Sequence, residues 1–194
     1  MTISGNVSSK TFDTERAGLP MAQIPNQTVL LVTDDAIWPC GLILGKLANG
    51  KHTPYGIITD LIGTGDGAET DFIGDVGAIE PGTAEVVAGA ITLTDDGCGN
   101  LVGIGGSGSV NYETGKVVVS FDAAPANAAE VNLSSKPDPC AVLDSQTDTA
   151  RSSSALAVKF GSVRKDLLKV GVAVPAEPSA AALARLECRH IYPV

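Results

Sequence analysis

Aromatic side chains are scarce in this sequence: Phe, Tyr and Trp together make up 4% of 194 residues, with a single Trp. Any core must therefore be aliphatic, built from Val, Leu, Ile and Ala. Positive charge is also thin, with 13 Lys and Arg against 22 Asp and Glu. The densest basic group is Lys159, Arg164, Lys165 and Lys169, and Asp166 interrupts it. Phosphate backbones need clustered Lys and Arg, so no direct nucleic-acid contact is expected. Apolar runs fall far short of the roughly 20 residues that span a bilayer, so no membrane partner is expected either. The opening Met1-Thr2-Ile3-Ser4-Gly5-Asn6 lacks the basic and apolar regions of a secretory signal, which points to a cytosolic origin. The four cysteines, Cys40, Cys98, Cys140 and Cys188, are widely spaced, with no Cys-x-x-Cys pair. In a reducing compartment that spacing predicts four ordinary buried thiols rather than a disulfide framework.

Hydrophobic residues reach 44% and charged residues 18%, which excludes an intrinsically disordered chain. The length suits one full-size domain or two small ones. Gly (22) and Pro (11) are abundant enough to punctuate many short strands. The net charge of −9 reads as solubility at high local concentration.

Residues 1–28 are rich in Ser, Thr, Asn and Gln, and Pro20 and Pro25 break any helix. Phe12, Leu19, Met21 and Ile24 are apolar anchors without a period, which suits either a disordered tail or an extended arm laid on a partner. From Val29 to Tyr55 the pattern is β. Val29–Val32 and Leu42–Leu47 are strands, and Ala48-Asn49-Gly50-Lys51 is a turn with Asn-Gly at its centre. Composition shifts at the glycine-rich Gly63-Thr64-Gly65-Asp66-Gly67, expected to be a flexible junction. Up to about Ser135 short strands alternate with Gly/Asp turns. Ile91–Thr94, Lys116–Phe121 and Ala129–Leu133 are strands, with Val117, Val119 and Phe121 on one face. This rhythm suggests a small antiparallel sandwich. After Lys136-Pro137-Asp138-Pro139, Cys140–Leu143 and Ala155–Phe160 read as strands, and Val163–Val170 as a strand or short helical turn. Ser179–Arg189 is the one clear helix, opened by Pro178 and closed by Arg189 and His190, where positive charge suits the dipole.

Chemical motifs are few. Gly103-Ile104-Gly105-Gly106-Ser107-Gly108 matches the dinucleotide pattern G-x-G-x-x-G. A pyrophosphate site needs a helix after the glycines, yet Ser109-Val110-Asn111-Tyr112 is strand-like, so a glycine loop is the better reading. Asp66, Asp71, Asp75, Asp95 and Asp96 lack the alternating register and closing Glu of a calcium loop. His52 and His190 are the only histidines, with no cysteines at zinc spacing and no Gly-x-Ser-x-Gly elbow. No catalytic residue, metal or cofactor is therefore expected. The lone Trp38 reads equally well as an interface anchor or as core.

Three segments, in order, resemble a known family. Cys40-Gly41-Leu42-Ile43-Leu44-Gly45-Lys46-Leu47 with Lys51-His52-Thr53-Pro54-Tyr55 resembles the early stretch of lambda-type phage head decoration, or capsid cement, proteins. Cys140–Asp144 with Ala155-Leu156-Ala157-Val158-Lys159-Phe160-Gly161-Ser162-Val163-Arg164 resembles their later strands. Ala181-Ala182-Leu183-Ala184-Arg185-Leu186 with Ile191-Tyr192-Pro193-Val194 resembles their ending. The stretch 63–135 interrupts the pattern and resembles a small β module of phage structural proteins.

The resemblance implies a mainly β fold: a β-clip-like decoration domain with one C-terminal helix, interrupted by a small antiparallel β-sandwich module. The expected organisation is an N-terminal capsid-binding arm over 1–28, a discontinuous decoration domain over 29–62 and 136–194, and an inserted module over 63–135. The implied partners are the major capsid protein and two further copies in a homotrimer. The implied place is the exterior of the virion, after synthesis in the host cytoplasm. The family has no catalytic residues to transfer. Phe12, Leu19, Pro20, Met21, Ile24 and Trp38 are the expected capsid contacts. The alternative is a receptor- or glycan-binding protein displayed on the capsid, with Phe72, Tyr112 and Phe121 as the insert's only aromatics.

Overall fold

The computed structural model describes Ala17 and residues 27–194. The first half of the chain contributes β1 (Gln27–Leu30), β2 (Ile37–Trp38), β3 (Ile43–Lys46), β4 (His52–Pro54), β5 (Ile58–Thr64), β6 (Asp71–Asp75), β7 (Glu85–Ala88) and β8 (Ile91–Asp95). Then follow β9 (Asn100–Gly103), β10 (Gly106–Asn111), β11 (Lys116–Phe121), β12 (Glu130–Ser135), β13 (Pro139–Leu143), β14 (Thr147–Asp148), β15 (Ser154–Val158) and β16 (Gly161–Val163). A 3-10 turn at Lys165–Leu167, the helix α1 (Ala180–Cys188) and β17 (Ile191–Pro193) complete the chain. The fold is mainly β with one C-terminal helix.

Strand alternation sorts the side chains. In β11, Val117, Val119 and Phe121 are buried while Lys116, Val118 and Ser120 face out, as a period of two requires. The same alternation in β12 buries Val131, Leu133 and Ser135. These strands belong to an antiparallel sheet in the order β5-β12-β7-β8-β9-β10-β11-β6. Its two edges, β5 and β6, are consecutive in the chain and meet across an unpaired seam. The expected small antiparallel β module is thus an eight-stranded sheet rolled into a near-barrel, sandwich-like arrangement around a single core.

Glycines let that seam close. A Cβ at Gly63 would stand 2.3 Å from Cδ1 of Phe72, and one at Gly74 would stand 2.7 Å from Cγ2 of Ile62. Gly63 is therefore not a flexible junction but part of a strand, left bare so that a phenyl ring can cover it. The expected boundary between residues 62 and 63 moves accordingly: β5 starts at Ile58 and pairs along its length with β12.

The second sheet runs β1-β15-β13-β3-β4. Both of its faces are covered. One carries Val29, Leu31, Trp38, Leu42, Leu44, Ala141, Leu143 and Ala157. The other carries Ile43, Tyr55, Val142 and Val158 beneath Leu168, Ala182, Leu186 and Ile191. Helix α1 forms where expected: the Ser179 side chain accepts a hydrogen bond from the Ala182 N–H, and Ala182 and Leu186 are buried. β16 and β17 pair in parallel beside it. None of the core residues of the rolled sheet is shared with the two cores of the second sheet.

Ala17 corrects part of the expected arm. It is fully buried, donates its N–H to Asp144 O at 3.0 Å and accepts from the Arg164 N–H at 2.9 Å. A methyl side chain with both backbone groups satisfied fits this chain's own core, so at this point the segment lies on its own fold and not on a neighbour. Residues 27 and 28, also assigned to the arm, begin the edge strand β1.

Candidate functional site

Of the expected capsid contacts, Phe12, Leu19, Pro20, Met21 and Ile24 lie outside the described residues. Trp38 is fully buried. Its indole N–H lies 3.0 Å from both Asp34 carboxylate oxygens, and its backbone pairs with Thr147. The Thr149 hydroxyl, 2.6 Å from Asp34 Oδ1, locks that carboxylate in turn. A ring enclosed on every side cannot anchor a partner, so Trp38 is core.

The motifs resolve locally as well. Gly103 and Gly106 pair across the β9–β10 hairpin, leaving Ile104 and Gly105 as its two-residue tip. Gly105 takes φ 96°, which L side chains avoid. The turn aspartates serve their own loops: Asp66 Oδ1 accepts from the Ala68 and Glu69 N–H groups, and Asp96 Oδ1 from Cys98 and Asn100. These backbone bonds hold the Asp66 carboxyl below its ordinary range, and for Asp96 the Asn100 side-chain amide, 2.8 Å from Oδ2, does so first, with the backbone bonds behind it. Asp71 and Asp75 stand on β6 instead. Tyr112 donates to Asp95 Oδ1 at 2.7 Å and accepts from the Gly99 N–H. Partial burial, then the Asp95 bond, pushes its phenol up to about 12. Phe72 and Phe121 stack edge to face in the core, centroids 5.8 Å apart. The insert's aromatics thus offer no exposed platform for a sugar ring.

Only Cys40 is buried and Cys140 partly so; Cys98 and Cys188 are exposed, against expectation. Both exposed thiols sit at element ends, Cys98 in the β8–β9 turn and Cys188 in the last turn of α1. Packing there covers little. Burial pushes the Cys140 thiol up to about 11, so it stays protonated.

Charge is the feature that sequence-wide totals hid. Residues 58–135 carry twelve Asp and Glu against the single Lys116, a net of −11. Residues 27–57 with 136–194 carry eight acidic and ten basic side chains. The net negative charge therefore resides on the rolled sheet, and the second sheet is slightly positive. Counting charges by segment would have found this in the sequence.

Between the two sheets lies a bonded junction. Tyr55 donates to Glu80 Oε2 at 2.5 Å, and burial followed by that bond raises its phenol well above the ordinary value. The Lys136 ammonium stands 5.9 Å from the Tyr55 ring centroid. Asp138, 2% exposed, is clamped by Arg185 Nε at 2.9 Å and Arg189 Nε at 2.7 Å, one turn apart on α1 and its cap. Those paired guanidinium bonds fasten the helix to the start of β13. The second sheet also bears an opening. A cleft of about 550 Å³ is lined by Ile37, Pro39, Cys40, Asp148, Lys169 and Val172 among others. It lies beside the corner where Ala17 docks on Asp144.

Comparison with family models, with curated proteins and with solved structures returned no match for this chain.

Proposed function

We propose that this chain is a structural decoration protein of a phage head, bound to the exterior of the expanded capsid and reinforcing it. The observation that carries the reading is spatial. The three segments that resemble the decoration family, within residues 40–55, 140–164 and 181–194, are far apart in the chain, yet they converge in one unit. They supply β3, β4, β13, β15, β16, α1 and β17. Residues 58–135, the interrupting stretch and the five residues before it, form a sheet of their own.

The partition of charge supports the same orientation. A near-neutral unit can approach a capsid surface without long-range repulsion, while a rolled sheet of net −11 faces solvent and keeps crowded particles apart. The β-clip-like description of the second sheet, the trimer and the virion exterior belong to this proposal through the resemblance. The proposed mechanism is additive. Many modest contacts, linked within a trimer, resist expansion together.

The test is to mix purified protein with empty expanded heads and image the product. Regular external density, with clusters of three copies, is the expected result. Smooth heads at saturating protein would overturn the proposal.

A further inference from the structure

The five-stranded sheet comes close to closing on itself at one point, where the chain leaves β1 and meets β4. The Val32 N–H donates to His52 O at 2.9 Å, and Leu31 and His52 form an isolated parallel bridge. The His52 side chain is 3% exposed. Its Nδ1 lies 3.2 Å from Leu30 O. A carbonyl only accepts, so Nδ1 carries the hydrogen in that contact. Nε2 of the neutral ring is then a bare acceptor, and it is buried without a hydrogen-bond partner among the described residues.

The charged groups acting on this ring are both cations. Lys46 stands directly opposite His52 in the β3–β4 register. Lys159 follows the last residue of β15. Burial first, and then these two ammonium groups, pull the His52 pKa below the ordinary 6.5, partly offset by the Leu30 carbonyl.

We infer that His52 is an acid-sensitive latch: protonation at Nε2 parts β4 from the Leu31–Val32 segment and loosens β1. A second N–H in that position would have no acceptor, and a buried cation without a counter-charge is costly. The least costly relief is to admit water at the seam. β1 is an edge strand of four residues, held on its other side by β15 alone. The rolled sheet shares no core residue with this region and has no part in the event.

The sign follows from the depressed pKa. The latch is intact above 6.5 and is lost as pH falls from there through the folded-state pKa. The whole chain serves for the experiment, because it has two histidines and His190 is exposed. Imidazole resonances followed by NMR give two titrations, assigned by a His190→Gln variant. Amide exchange at pH 7.5 and 5.0, corrected for intrinsic rates, reads the seam. The Val32 amide should lose at least about tenfold in protection, while Val117 and Val119, in a strand flanked on both sides, keep theirs. His52→Asn keeps a donor for Leu30 O but cannot titrate, and it should abolish the pH effect. A His52 midpoint at or above 6.5, unchanged Val32 protection at pH 5.0, or the same loss in His52→Asn would each overturn the latch. Should that variant not fold, the two wild-type measurements decide alone.

Discussion

Single side chains show where local pattern ceases to inform. A lone Trp in an aliphatic chain is ambiguous because size and polarity suit core and interface alike. What decides for Trp38 is a partner four residues earlier: the Asp34 carboxylate meets the indole N–H. That pairing needs the turn at Asp35, whose φ is 55°, and such a conformation is not written in the hydrophobic pattern. Trp38→Phe should leave a void and remove the indole bond. We expect a loss of about 1–3 kcal/mol in urea unfolding, with head binding at saturating protein unchanged. Because Trp38 is the sole Trp, its fluorescence reports unfolding directly, and a blue-shifted native emission checks its burial. Weakened head binding without loss of stability would restore it as a contact.

At the scale of elements, those with strong alternation were legible and those with bare glycines were not. The helix over 179–189 and the buried face of Val117, Val119 and Phe121 follow from periodicity, and the structure has both. The run Gly103–Gly108 resembles a phosphate loop because the motif records glycine spacing and not what the glycines face. In β10 the reason is steric: a Cβ at Gly108 would stand 2.5 Å from Val118 O, a backbone atom that cannot swing aside. Phe121 and Leu101 use the space left beside Gly106 and Gly108. One hairpin therefore holds a sensitive and an indifferent position. Gly108→Ala should cost about 1–3 kcal/mol by overpacking. Ile104→Asp, at a tip residue 95% exposed, should change stability by less than about 0.5 kcal/mol. Thermal unfolding of both variants tests the contrast. Equal effects would mean that β10 does not pack as described.

For the whole molecule, the question is whether the rolled sheet can be removed. The segment that the sequence marks as a linker, Gly63–Gly67, is a poor place to cut, since it would strand Ile58–Ile62 as an unpaired strand. The register supplies a better one: Ile58 and Ser135 are directly paired, so the ends of 58–135 lie on the order of 5 Å apart. Joining Ile57 to Lys136 through two glycines therefore costs little in loop closure. Neither core of the second sheet loses a member. What is lost is the junction: the Tyr55–Glu80 bond, the Asp138 N–H to Ala78 O bond, the Glu80 N–H to Lys136 O bond, the Ala48 N–H to Val76 O bond and the Lys136 N–H to Thr83 hydroxyl bond. At about 0.5–1.5 kcal/mol each, the remainder should be roughly 3–7 kcal/mol less stable than in the full chain, yet folded. A Tyr55→Phe change, which removes one exposed polar consequence of the cut, should not lower it further. Under the decoration proposal the shortened protein still binds expanded heads. It no longer carries the −11 of residues 58–135, so decorated particles should migrate more slowly toward the anode and clump at lower concentration. Electrophoresis and light scattering of decorated heads measure both. A folded deletion variant that fails to bind would make the rolled sheet part of the capsid contact, and unaltered mobility would remove charge as its contribution.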